Sequence, residues 1–259
     1  MTRRLMFLST ICASFLLTSA GASAAGSTPW GYEHGTVDWG SLDPDYALCS
    51  SGTRQSPIDV IRANARVMSL PSLNFNYSTS ANVTVHNDGH TIRTGAPAGN
   101  TLTIAGKSYT LVQFHVHTPS ENYIDGEQYP LELHFVHTAT DGSGAIAVVG
   151  VLFDEGARDP QLDKIIAAMP AHEGQSAPAQ ALNLRALIPS GRSYRFSGSL
   201  TTPDCRENLA WHVMGRVRTA SLSQLAAFSA RFSGPEFPEG NRRPVQPLNG
   251  RVVSTEAGD

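Results

Sequence analysis

The stretch QFHVHTPSEN, residues 113–122, carries His115 and His117 two positions apart, and the carboxylate of Glu121 follows four residues after the second histidine. Imidazole is costly to bury and packs no better than leucine, so two of them in an apolar run ask for a reason. Side chains two apart on a strand share a face and lie about 6–7 Å apart along it. His115 and His117 can therefore converge on one ion. A second segment, LELHFVH at residues 131–137, offers Glu132 and His134 on one face and His137 on the other. Antiparallel pairing across a turn near DGEQ would bring His134 opposite the first two histidines. Three neutral imidazoles with one open position describe a catalytic zinc site, whereas structural zinc sites use four protein ligands, often cysteine. Imidazole also suits copper, nickel and iron, so zinc is the favoured metal rather than the only one. A lone histidine on an apolar strand is more often a hydrogen-bonded core residue. A His-x-His strand beside a Glu-x-His strand reverses that preference. Metal-bound imidazoles need an acceptor on the far ring nitrogen, and Gln113 and Glu132 are placed to be such acceptors.

The elements that must hold these residues are mostly strands. NVTVHN, TLTIAG, SYTLVQFHVHT, LELHFVHT and AIAVVGVLF are rich in Val, Thr, Ile and Phe and are broken by Gly, Asn or Asp turns. Helices are few. DPQLDKIIAAM has Asp159 as N-cap and Pro160 in the first turn, with Leu162, Ile165, Ile166 and Met169 on one face. SLSQLAAFSARF has Ser221 as a cap, with Leu222, Leu225 and Phe228 expected to face inward. The pattern predicts a mainly β (α+β) fold: a large, mostly antiparallel sheet with peripheral helices. No repeat, heptad run or low-complexity linker divides the chain, so residues 25–259 read as one domain.

The 259 residues carry a formal net charge of −3, with no basic stripe to supply phosphate contacts. That argues against nucleic acid or an anionic membrane as partner and leaves selection to a local site. The chain opens with the basic MTRR, the apolar LMFLSTICASFLLT and the small-residue SAGASAAGS, the layout of a secretory signal with cleavage after Ala24. The apolar run is shorter than the ~20 residues a membrane span needs. The expected product is periplasmic or secreted and free of the membrane. Of its cysteines only Cys49 and Cys205 remain after cleavage. In an oxidising compartment these most simply form one disulfide; two free buried thiols are the alternative.

QFHVHTPSE, ELHFVH, SGSLTTPDC, RQSPIDV and NRRPVQPLNGRVV, together with HNDGH and the opening WGY, resemble the successive signature segments of the alpha-class carbonic anhydrases. The match runs in order from about Trp30 to the end of the chain. The resemblance implies a large twisted sheet holding zinc at the base of a conical cleft, and reversible hydration of carbon dioxide to bicarbonate and a proton. His115, His117 and His134 would be the Zn²⁺ ligands. Thr201 would accept from zinc-bound hydroxide and donate to Glu121, and Thr202 would help hold bicarbonate. His90 would ferry protons, for which an imidazole titrating near neutrality is suited. Val136, Val148, Leu200 and Trp211 would form the apolar wall where carbon dioxide rests, and Cys49–Cys205 would match the disulfide of exported members. The resemblance also allows side esterase activity and a homodimer.

Several positions depart from the family pattern. Asn122 follows Glu121 where histidine is frequent. Asp88 stands where asparagine is common and, at close range, would favour the charged form of His90. Arg93 puts a cation in the cleft, expected to offset Asp88 in part. Asp204 follows Pro203 where a second proline is usual, so the bond between them is expected trans, or cis and retained by the Cys205 bridge. A cupin-type oxygenase also pairs two histidines with a later glutamate, but Tyr109 and Gln128 stand where its glycines would fall. A catalytically silent binding module generally loses one or more metal histidines; all three are kept here.

Overall fold

The computed structural model describes residues 28–257, so the leader assigned to residues 1–24 lies outside the described residues. Alternation sets the strands. In β1, Ala81–Asn87, the side chains of Ala81, Val83 and Val85 point inward while Asn82 and Thr84 face solvent. The chain then turns through β2, Ile92–Gly95, and reaches the long β3, Lys107–His117. The stretch TLTIAG forms a strand only to Ile104, because Ala105 and Gly106 both adopt positive φ and close a two-residue hairpin into β3. Next come β4, Leu131–Ala139, and β5, Ile146–Glu155. Later elements are helix α1, Pro160–Ala168, and strands β6, Ser176–Leu182, β7, Ser193–Ser199, β8, Glu207–Met214, and β9, Arg218–Ala220, followed by helix α2, Leu222–Ser229.

One 13-stranded sheet organises them, in the order β6, β1, β2, β3, β4, β5, β8, β7, then the short Ser254–Thr255 and Arg66–Val67. Most pairings are antiparallel; β5 runs parallel to β8 and to β9. The sheet is packed on both faces. Leu131, Leu133 and Phe135 of β4 join Phe114, Val149 and Val151 in one cluster. The intervening residues of neighbouring strands, among them Val148, Leu152 and Trp211, belong to a second cluster on the opposite face. Burying such a large apolar side chain contributes about 1.5–3 kcal/mol each. Because both faces of β4 are covered, its polar residues must find partners inside the protein.

Asp159 caps α1, its Oδ1 accepting from the amides of Gln161 (2.8 Å) and Leu162 (3.4 Å). Leu162 and Ile165 are buried, while Ile166 and Met169 are only partly covered. Gln224 Oε1 accepts from the Ser221 amide at 3.0 Å at the start of α2. Leu222 corrects the expectation made for it. It is 64% exposed, since the first residue of α2 points away from the sheet, and only Leu225 and Phe228 pack inward. The Pro203–Asp204 bond is cis, not trans, and Cys205 beside it is bonded to Cys49 across 156 residues of sequence. Among the described residues no helix is long and apolar enough to cross a membrane.

Candidate metal centre and cleft

Strand register builds the centre. His134 of β4 lies opposite His115 of β3, and Glu132 lies opposite His117. One ring nitrogen from each of His115, His117 and His134 falls within 4.8 Å of the others, with His117 and His134 buried and His115 half-buried. The remaining nitrogens are held. His115 Nδ1 is 2.9 Å from Gln113 Oε1, and His117 Nδ1 is 2.7 Å from the Asn241 carbonyl. His134 Nε2 sits 2.9 Å from Glu132 Oε1. His117 Nε2 is buried with no hydrogen-bond partner, an expensive state for a lone imidazole and an ordinary one for a ligand. Burial pushes the His115 imidazolium well down, with help from His117, His134 and Arg93, and burial also lowers His117 against the Asn241 carbonyl. Both are thus neutral, the form that binds metal. Three imidazole nitrogens facing one point, with acceptors on their far sides and no thiolate, fit Zn²⁺. His137, on the opposite face of β4 beyond a register shift, contacts Tyr77 and the Ala147 carbonyl instead.

Behind the imidazoles lies a buried carboxylate network. Glu132 Oε2 accepts from the amides of Glu121 (2.9 Å) and Asn122 (2.8 Å), and its Oε1 accepts from Asn122 Nδ2 at 2.8 Å. Burial alone would raise the Glu132 carboxyl, but His134 and the Asn122 bonds outweigh it and hold it below its usual range. Asn122 Oδ1 in turn accepts from the Ile58 amide at 3.1 Å. The departure at 122 therefore keeps the network closed, with an amide donating on one side and accepting on the other. Glu121 Oε1 accepts from the Arg243 amide at 2.8 Å. Burial pushes the Glu121 carboxyl up to about 7, against the pull of His134, the Thr201 hydroxyl and the Arg243 amide. A bound dication would draw it down again.

Thr201 is buried, and Thr202 lines a cleft cavity of about 170 Å³ with His90, Arg93, Gln113, His115 and His117. Val136, Val148, Leu200 and Trp211 belong to one apolar cluster beside it, and the Trp211 ring meets His134 edge-on, centroids 4.8 Å apart. Trp211 is fixed by Nε1 donating to the Ser199 carbonyl at 2.9 Å. His90 stacks on Trp30 with centroids 3.8 Å apart and planes within 11°. Asp88 is engaged elsewhere than on that ring. Its Oδ1 accepts from the amides of His90 (3.1 Å) and Thr91 (2.8 Å), and its Oδ2 faces Arg93 Nε at 3.7 Å.

Two residues of the site escape sequence reasoning. Asn241 holds His117 with its carbonyl, accepts from the Thr118 amide through Oδ1, and donates through Nδ2 to the carbonyls of His90 and Val116. Arg243, buried, donates to Gln55 Oε1, the Ser56 carbonyl and the Cys49 carbonyl, and so ties the disulfide region to Glu121. Both stand in NRRPVQPLNGRVV, but the bonds that reach His117 and Glu121 come from a backbone carbonyl and a backbone amide, which leave no mark on residue type.

Residues 34–257 match the family described as eukaryotic-type carbonic anhydrase. A carbonic anhydrase of Pectobacterium atrosepticum is 43% identical over 238 residues, covering 90% of this chain and 93% of the relative. One from Neisseria gonorrhoeae is 41% identical, covering 91% and 92%. The solved alpha-carbonic anhydrase of Thermovibrio ammonificans, in complex with sulfanilamide, superposes with a TM-score of 0.80 at 38% identity, over 88% of this chain and all of that one. With a sheet of the same form and a histidine trio at its centre, the chain belongs to the alpha, or eukaryotic-type, carbonic anhydrase family.

Proposed function

We infer that this chain hydrates carbon dioxide reversibly to bicarbonate and a proton, with Zn²⁺ held by His115, His117 and His134. The observation that carries the reading is the trio itself: three imidazoles facing one point, each with its far nitrogen against a fixed acceptor. When bound, zinc supplies a Lewis acid that brings the pKa of water to about 7, as it does in carbonic anhydrases generally.

The protein's own groups supply the rest. Glu121, pinned by the Arg243 amide, faces the Thr201 hydroxyl and directs its proton toward the carboxylate. The Thr201 oxygen is left to accept from the nucleophile, which fixes where the nucleophile's lone pair points. Val136, Val148, Leu200 and Trp211 offer a neutral, apolar gas a dry surface beside it. Thr202 stands at the cleft cavity, where the anionic product would rest. His90, a half-buried ring against Trp30, would carry the proton from the cleft to buffer. We further read residues 1–24 as an export signal and residues 25–259 as one domain delivered to the periplasm or beyond, where the Cys49–Cys205 bridge persists.

Stopped-flow hydration by wild type and His90→Ala across a range of buffer concentrations tests the assignment. The variant should lose activity in dilute buffer and regain it with added imidazole. A variant rate equal to wild type at every buffer concentration would remove His90 from the mechanism.

A further inference from the structure

The arginines of this chain are scattered in sequence, and folding gathers them. A cavity of about 650 Å³ lies between the start of α1, the segment 183–190 and strand β9. It shares no residue with the cleft cavity. Arg158, Arg185, Arg216 and Arg218 wall it, with one lining carboxylate, Asp159. That carboxylate is committed. Its Oδ1 caps α1, and its Oδ2 is paired with Arg218. Arg158 Nε pairs with Asp163 at 2.7 Å, and Arg185 Nη1 donates to the Ile188 carbonyl at 2.8 Å. Among the described residues no carboxylate pairs with Arg185 or Arg216, and Arg218 Nε is buried without a hydrogen-bond partner. Two carboxylates thus serve four guanidiniums. An adjoining cavity of about 430 Å³ shares Ser190 and Arg216 with the first and is lined also by Arg62, whose partner is Asp125.

A concave surplus of positive charge in a chain of net charge −3 focuses the field at one place and concentrates small anions there. Guanidinium forks match phosphate oxygens bidentately, and the hydroxyls of Thr79, Ser190 and Thr219 stand on the same walls. The volume suits a small molecule rather than one ion. A monovalent anion would engage one fork at a time, whereas two phosphate groups could use both sides of Arg216. A long polyanion would meet the negative remainder of the surface.

We propose that this cavity binds a small anion bearing two or more phosphate groups. The site is independent of the zinc centre, so its fate does not decide the hydration reading. The test is calorimetric titration of the zinc-loaded protein with pyrophosphate, with sodium sulfate at matched ionic strength as comparator, on wild type, Arg216→Ser and Arg158→Ser. Wild type should bind pyrophosphate saturably, one per chain and more tightly than sulfate. Each variant should bind at least about tenfold more weakly while hydrating carbon dioxide at the wild-type rate. Absence of saturable binding to wild type would overturn the proposal. So would equal affinity in the variants, which would place the anion elsewhere, for instance at the zinc.

Discussion

Glu132→Gln isolates the contribution of one buried carboxylate to the metal centre. Glu132 is fully buried and receives three N–H groups, from the Glu121 and Asn122 amides and the Asn122 side chain, with His134 Nε2 at 2.9 Å as a fourth neighbour. A carboxylate accepts from the first three and faces His134 Nε2 with a charged oxygen. Glutamine has one accepting oxygen, and its NH₂ must face either the two backbone amides or the Asn122 and His134 nitrogens. Rotating the Asn122 amide would not help, because its Oδ1 would then leave the Ile58 amide. Two donors are stranded in either arrangement. At about 1–3 kcal/mol for each, the fold should lose about 2–6 kcal/mol. His134 also loses the charged acceptor that fixes its tautomer, which should weaken zinc about 10–100-fold. Chelator competition on the apo-protein reads the second quantity and urea unfolding the first. A variant binding zinc within twofold of wild type, with an unchanged unfolding midpoint, would refute the claim that Glu132 orients His134.

The same carboxylate explains Gly150, opposite His134 on β5: a Cβ built there would stand 2.7 Å from Glu132 Oε1. Gly150→Ala should therefore displace Glu132 and weaken zinc severalfold, whereas unchanged zinc affinity would show the strand absorbing the methyl. His212 is buried with neither ring nitrogen bonded, and burial lowers it to about 3, below the ~6.5 of an unfolded histidine. The unfolded chain thus binds more protons from pH 6.5 down to about 3, and stability is lost as pH falls through that window. His212→Leu should be stabilised at pH 5 relative to pH 8 by about 2 kcal/mol more than wild type; equal pH dependence in urea unfolding would contradict this. Asp88→Asn keeps an oxygen for the His90 and Thr91 amides and loses only a half-exposed pair with Arg93, worth at most about 1 kcal/mol. Proton-transfer rates should change by less than about fivefold, and a larger change would mean that Asp88 acts on His90 directly.

The strands and the histidine trio were legible because a strand repeats every two residues. Once His115, His117 and His134 were placed on strands, one antiparallel register brought them together. Capping of α1 was legible for the same local reason. What lay beyond reach depended on partners far away in the chain. Asn241 and Arg243 reach residues more than 120 positions away. Asn122 looked like a departure until the Ile58 amide and Glu132 were seen on its two sides. Asp88 looked like a partner for the His90 ring, but the turn claims one of its oxygens and Arg93 faces the other. Leu222 failed because an apolar residue in the first turn of a helix need not share the inward stripe.

Metal content and gas hydration measured together on the same preparation test the central claim most directly. The purified wild-type protein should contain one zinc per chain and hydrate carbon dioxide, and His117→Ala, folded by its spectrum and melt, should lose both. A wild type that hydrates the gas without any metal, or a His117→Ala protein that keeps the wild-type rate, would contradict the account.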